Sequence, residues 1–398
     1  MLSTPRSARQ RTDELFRILL CVFGAQAIAL GWRHFTDHPA GSPLSIPLFH
    51  GSDFTIFFDG ARAWLAGQDP YAVNGFVTPP LSLVLPALLS RFSQERATLV
   101  FLICNLAILA VALWLYSKPR MAKREQVLFL LVATLFLPAQ WCVHGGNMDG
   151  LMLVLLMAAF SARQTTGRAL LLAASVGLKL YSIILLPVFL RRRQWRDAFF
   201  TVGALLLILL PFHHLWPSAL HALSSRGNRF GYGSISPSAI VYALGGIRPV
   251  VYKGIGLAFW LITFCWALYR DEERSSSSAT LTRYVPWMFA WPALVFPYVG
   301  VLALLVLASL METAQRRSLN RSEYTCFLGF LLLGIHLDRI VIQMPVTQLS
   351  DIVCHCIQPF GVVLMMLGTC LGTRTKHEGE RPDERREEVA LVCNTVPD

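Results

Sequence analysis

Thr98-Leu-Val-Phe-Leu-Ile-Cys-Asn-Leu-Ala-Ile-Leu-Ala-Val-Ala-Leu-Trp-Leu-Tyr116 carries no charge from end to end, and Lys118, Arg120, Lys123 and Arg124 follow it. As a helix, a run of this length covers the roughly 30 Å of a bilayer's hydrocarbon core. Cations just beyond a span are held on the cytoplasmic side, so the stretch predicts a crossing that ends inside. Runs of the same kind recur at Ile18–Trp32, Val127–Val143, Phe199–Trp216, Ile255–Tyr269, Cys326–Ile342 and Ile352–Leu371. Shorter ones lie at Leu151–Phe160, Tyr284–Val295 and Val299–Leu310. The composition agrees. Of 398 residues, 54% are hydrophobic and 15% charged, against about 25% charged in ordinary soluble domains, and mean hydropathy is +0.51. A disordered chain, a coiled coil and a disulfide-stapled secreted domain are excluded. The expected fold is an all-α polytopic membrane protein of about 10–12 crossings, without internal repeat or separate soluble domain.

The net charge of +11 would suggest nucleic acid in a soluble chain. Here the cations cluster in short runs between apolar segments, so they encode orientation, and no nucleic-acid partner is expected. Arg6, Arg9, Arg11 and Arg17 precede the first span, which places residues 1–17 in the cytoplasm. This arginine-rich head and the run after it resemble a signal peptide; retention is expected, because an even number of crossings agrees with the charges. The membrane domain then covers 18–372, and a charged tail, 373–398, is cytoplasmic, so both termini lie inside a multi-pass cell-membrane protein. Two long loops, about 34–96 and 217–253, fall on the outer face. Within the first, Leu81–Leu89 is too short to cross and is expected to lie in the interface. Between Arg168 and Arg191-Arg-Arg193 one apolar stretch is interrupted by Lys179. With both basic flanks inside, the economical path is two half-spans that meet near Lys179 on the outer side, a break tolerated only beside a cavity or inside protein; a single span, the alternative, leaves Arg191–Arg193 outside. The basic cluster Arg191–Arg196 is expected to engage membrane lipids.

The chemistry is expected on the outer side. Gly51-Ser-Asp-Phe-Thr-Ile-Phe-Phe-Asp-Gly-Ala-Arg-Ala-Trp-Leu-Ala-Gly67 places Phe54, Phe57, Phe58, Ala61, Trp64 and Leu65 on one helical face, suited to a membrane surface. Residue chemistry alone makes Asp53 a helix cap and Asp59 a partner of Arg62 one turn on. Gly67-Gln-Asp-Pro-Tyr71 and Thr78-Pro-Pro80 follow. Lys179 is either a snorkelling lysine or an anion site. Asn147 and Asp149 either bind sugar hydroxyls, orient Lys179 or cap a helix. His213 and His214 adjoin the second loop, where Arg226, Arg229, Arg248 and Lys253 place cations against the usual charge bias, as a phosphate partner or a solvated face would. No carboxylate-rich cage for a metal is apparent, and no cofactor is called for. Cys354 and Cys356 form a CxC that is either a metal or redox pair or packing within a helix; Asp338 and Arg339 can pair with each other or with a loop.

The order Asp53-Phe-x-x-Phe, Gly67-x-Asp-Pro-Tyr71, Thr78-Pro-Pro-Leu81, Gly146-Asn-Met-Asp149, Lys179-Leu-Tyr181 and Arg191-Arg-Arg-Gln-Trp195 resembles glycosyltransferase family 87. That family belongs to the polyprenyl-phosphate-sugar-dependent, α-mannosyltransferase-like branch of the GT-C superfamily. The likeness is strongest over the first half of the chain. Three departures stand out: the glutamine of the family's Gly-Gln-x-Asn is missing, Ser182 replaces a usual proline, and Ala290–Tyr298 lacks the histidine of a later outer motif. The resemblance implies a GT-C-type bundle with outward-facing interfacial helices. It also implies transfer of a sugar, mannose among the candidates, from a polyprenyl-phosphate donor to a hydroxyl of a glycan or glycolipid acceptor, with inversion. By resemblance, Asp53 is the general base and Asp59 the second candidate, with no metal. Lys179, Tyr181, Asn147, Asp149, Tyr71, Arg62, Arg226 and Arg229 are the candidate donor and acceptor contacts. A transporter or flippase of a lipid-linked or anionic substrate, and an inactive scaffold, are the competing functions.

Overall fold

The computed structural model describes residues 7–37, 52–226, 235–245, 249–271, 277–290, 297–335 and 348–371. Arg229, Arg248, the Asp338–Arg339 pair, most of the motif at 290–298, and the tail from residue 373 lie outside them. Every regular element among the described residues is helical, as expected of a polytopic all-α membrane protein.

Helix α1 (Ala8–Asp37) is followed by α2 (Ser52–Leu65), short 3-10 turns at Pro70–Ala72 and Pro80–Leu83, and α3 (Val84–Leu89). Then come the membrane helix α4 (Gln94–Ser117), and α5 (Lys123–Leu135) with α6 (Leu137–His144). The last two form an apolar pair bent by 64°. Pro138 causes the bend by removing a backbone donor, and Gln140 Nε2 satisfies the freed Thr134 carbonyl at 2.7 Å. Helices α7 (Asp149–Ser161) and α8 (Thr165–Leu178) form an antiparallel pair, and a 3-10 turn, Leu180–Ile184, leads to α9 (Leu185–Arg191). The rest comprises α10 (Trp195–Leu209), a 3-10 turn at Leu210–Leu215, α11 (Trp216–Arg226), α12 (Ser238–Gly245), α13 (Pro249–Tyr269), α14 (Ser277–Phe289), a turn at Pro297–Leu302, α15 (Ala303–Arg316), α16 (Arg321–Leu333) and α17 (Gln348–Leu371).

Two apolar cores organise these elements. The larger runs through the bundle from Phe16 and Phe23 through Phe129, Phe136 and Leu156 to Trp287, Leu304 and Phe330. The smaller caps one end of it, gathering Phe54, Phe57 and Phe58 of α2, Tyr71 and Phe76 of the first loop, Phe101 of α4, Met148, and Phe212 and Leu215 after α10. Outside both, α4 and α10 present Leu99, Ile103, Val111, Leu115, Leu206 and Leu207 to the surroundings. Apolar belts of this size are untenable in water and match lipid. Among the described residues, Gln94–Ser117, Trp195–Ser225 and Val299–Arg316 are each long and apolar enough to cross alone. The segment Leu81–Leu89 runs into the cap rather than across the bundle, in keeping with its length.

The cationic loops collect at the end opposite the cap. Arg11 donates to the carbonyl of Ala314 at 3.0 Å, Arg124 pairs with Asp13 at 2.7 Å, and Arg317 with Glu323 at 2.6 Å. Buried Glu125 accepts from Thr12 at 2.8 Å and from Gln315. Arg168, at the start of α8, pairs at 2.6 Å with Asp197, at the start of α10. This contact settles the path of the broken segment: α8 leaves the basic end and α9 returns to it, so two half-helices meet at Lys179. Arg192 then clamps the return by a bidentate, buried pair with Asp271 after α13, at 2.6 and 2.7 Å. Removing one partner strands a buried charge, at a cost of about 3–5 kcal/mol. Asp271→Ala is therefore expected to lower the melting midpoint of the purified protein clearly, whereas Asp59→Ala, on an exposed site, is expected to change stability by less than about 0.5 kcal/mol.

Candidate functional site

The seam between cap and bundle is built around a helix stop. Helix α6 ends in Gly145-Gly146, and Gly146 has φ +68°. Asn147 N–H donates to the Cys142 carbonyl at 3.0 Å and Gly146 N–H to that of Val143 at 3.1 Å, the two bonds of a Schellman motif. Glycine is required at 146 twice over. The left-handed backbone disfavours any Cβ, and a methyl there would sit 2.7 Å from Cβ of Phe54. The close approach lets the first turn of α2 dock on the stop: Asp53 and Phe54 N–H groups both donate to the Gly145 carbonyl, at 2.9 and 3.3 Å. The positive end of one helix thus meets the negative end of another. Phe54 stacks on Phe101 of α4 with ring centroids 4.4 Å apart, which holds α2 against the membrane helix.

Four polar side chains meet at this seam. Asn147 Nδ2 donates to Asp53 Oδ2 at 2.6 Å, and its Oδ1 accepts from Asp149 N–H at 3.1 Å. The amide has only one orientation that satisfies both contacts, since a carboxylate can only accept and a backbone N–H only donate. Asp149 is fully buried and Lys179 is 7% exposed. Their Oδ2–Nζ distance is 2.9 Å. The other carboxylate oxygen, Oδ1 of Asp149, is buried without a hydrogen-bond partner among the described residues. Tyr181 lies with its ring centroid 6.0 Å from the Lys179 amine. The break that presents Lys179 is extended at that residue, φ −150° and ψ 130°. Across it, the buried hydroxyls of Ser175 and Ser182 are 2.5 Å apart. Ser182 thereby gives the break a hydrogen bond that a proline could not form.

The remaining candidates stand apart from this chain of contacts. Asp59 and Arg62 lie on the exposed face of α2, and no ion pair forms between them among the described residues; the Arg62 guanidinium rests 5.9 Å from the Phe58 ring centroid. Tyr71 shapes the cap, its hydroxyl donating to the Thr78 carbonyl at 2.9 Å while Asp69 accepts from its backbone at 2.9 Å. Burial, helped by Asp69, pushes its phenol well above the usual tyrosine range. Arg226 closes α11. His213 and His214 are exposed on the turn after α10. Among the described residues no group of three or more His, Cys, Asp or Glu side chains is arranged to hold a metal ion. One contributor escaped the sequence reading. Asn105, buried in α4, reaches the Asn147 carbonyl through Nδ2 at 3.4 Å and packs against Gly150. An asparagine inside an otherwise apolar span was the available signal.

An all-α membrane bundle whose cap brings a carboxylate to the seam is the class of protein these features define. The chain belongs to glycosyltransferase family 87, whose family model matches residues 76–334. Asn147, Asp149, Lys179 and Tyr181 fall within the match, and α2 with Asp53 precedes it. A curated relative is the polyprenol-phosphate-mannose-dependent alpha-(1-2)-phosphatidylinositol mannoside mannosyltransferase of Mycobacterium tuberculosis (strain ATCC 25618 / H37Rv). It is 30% identical over 244 residues, covering 52% of this chain and 55% of the relative. The chain thus spans about half the length of that relative. No solved structure matches the chain at a significant level.

Gly146→Ala is expected to lose at least about 1–2 kcal/mol of stability from the strained backbone and the contact with Phe54. Gly167→Ala, in α8 with nothing within 4 Å of the added methyl, is expected to leave the melting midpoint unchanged or slightly raised. Thermal unfolding of the two variants side by side checks both.

Proposed function

We propose that the chain transfers a hexose, mannose first among the candidates, from a polyprenyl-phosphate donor to a hydroxyl of a glycolipid or cell-envelope glycan acceptor, with inversion at the anomeric carbon. The observation that carries this reading is the Asp53 carboxylate, held through one oxygen by Asn147 at the seam of cap and bundle, in a chain of this family. A phosphate is already a good leaving group and needs no strong acid. The acceptor hydroxyl needs a base, and a half-buried carboxylate held through one oxygen can supply one with the other. Attack from the face opposite the departing phosphate inverts the centre, as in inverting hydrolases with the acceptor in place of water. Asp53 is the base in this reading, and Asp59, on the far side of α2, is not.

The leaving phosphate carries charge that must be met. The Lys179 amine is committed to Asp149, so we assign this task to cations of the cap and second loop, with Arg62, Arg226 and Arg229 as candidates. Tyr71 maintains the loop beneath them. The basic end of the bundle faces the cytoplasm under the positive-inside rule, so the seam opens on the extracytoplasmic side of the cell membrane, where lipid-linked donors and acceptors share an interface. The relative's printed name, which specifies polyprenol-phosphate-mannose and a phosphatidylinositol mannoside, supports the same donor and acceptor classes for this chain.

The purified protein in lipid, given a synthetic short-chain polyprenyl-phosphate mannose and octyl mannoside, is expected to form a disaccharide product. Asp53→Asn is expected to reduce turnover about 10²–10⁴-fold, while Asp59→Asn stays near the parent rate. Unchanged transfer in Asp53→Asn removes Asp53 as the base. No transfer by the folded parent with any polyprenyl-phosphate sugar turns attention to a transporter or a scaffold.

A further inference from the structure

The buried lysine invites assignment to the donor's phosphate, yet its surroundings assign it elsewhere. Lys179 is 7% exposed, and its amine stands 2.9 Å from a carboxylate with no exposed surface. Asp149 in turn sits two residues from Asn147 and offers it a backbone N–H at 3.1 Å. Asn147, 2% exposed, spends its other end on Asp53. An apolar setting makes each charge of the pair expensive without the other, and Asp149 Oδ1 has no described donor to share the load. Three separate pieces of chain are tied by these contacts: the break after α8, the turn between α6 and α7, and the start of α2.

We propose that Lys179, Asp149 and Asn147 are positioning residues that act in series on Asp53, and that Lys179 does not bind the phosphate. The pair pins the Asn147–Asp149 turn to the break. The pinned turn aims the Asn147 amide, and the amide fixes Asp53 Oδ2 so that Oδ1 faces the acceptor hydroxyl. This inference rests on the reading of Asp53 as the base. Misplacement of a reacting group by about 1 Å costs about 10²-fold in rate, so a fault anywhere in the series appears in kcat. Donor affinity should be spared, because none of the three touches the donor.

The test compares Asn147→Ala, Lys179→Met and the double variant Asp149→Asn/Lys179→Met with the parent and Asp53→Asn. The full chain in lipid is given polyprenyl-phosphate mannose and octyl mannoside. Asn147→Ala is expected to lower kcat about 10²-fold with donor KM within about twofold. Lys179→Met strands Asp149 and is expected to lose both kcat and thermal stability. The double variant removes both charges and restores the neutral balance of the site, so it is expected to recover to within about tenfold of the parent kcat, again with an unchanged donor KM. A double variant as impaired as Lys179→Met, with donor KM raised tenfold or more, overturns the proposal and returns Lys179 to the phosphate. If Lys179→Met does not fold, Asn147→Ala and the double variant still decide the matter. Full transfer by Asp53→Asn sinks the underlying reading. A dead Asp53→Asn beside an Asn147→Ala that alters only KM sinks the positioning inference alone.

Discussion

The structure around the seam depends on one ion pair held away from water. Asp149 and Lys179 each carry a charge into apolar surroundings, and each offsets the other's burial across 2.9 Å. That requirement joins α7 to the break after α8, and it accounts for why the broken stretch turns back at Lys179. Ser175 and Ser182 close the same break by a hydroxyl contact, so a departure from the family's usual proline leaves its geometry intact. Once the break and the α6–α7 turn are locked together, the start of α2 has a fixed surface to dock on, and Asp53 inherits its position from that docking.

The two ends of the molecule handle charge in different ways. At the basic end, exposed loop arginines such as Arg124 and Arg317 pair at the surface, while the Arg192–Asp271 clamp is buried. At the capped end, the polar side chains at the seam are joined in a short series ending on the half-buried Asp53 carboxylate. A surface pair contributes little to stability, which suits loops that need only mark orientation. A buried pair is costly to break, which suits a site whose geometry must not drift.

Much of this was legible from residues alone. The apolar runs and the cations after Thr98–Tyr116 point to the all-α membrane fold, and the basic flanks on both sides of Lys179 favour a chain reversal there over a single span, in keeping with the Arg168–Asp197 contact. What could not be extracted was the partnership of side chains. Asp53 looked like a cap and Asp59 like the partner of Arg62 because local spacing is all that sequence offers. The actual partner of Asp53 is Asn147, far along the chain, and only packing of the cap on the bundle brings them together. Lys179 looked like an anion site for the same reason, since its neutralising carboxylate sits thirty residues earlier.

In the proposed complex the donor's reacting end lies at the Asp53 seam while Lys179 stays with Asp149. An electron-microscopy map of the full chain in lipid, bound to a non-transferable phosphonate analogue of polyprenyl-phosphate mannose, tests it most directly. The sugar is expected beside Asp53, the phosphonate against cations of the cap or second loop, and the Lys179–Asp149 contact intact. A phosphonate seated on the Lys179 amine with Asp149 displaced, or a sugar at the basic end of the bundle, would contradict it.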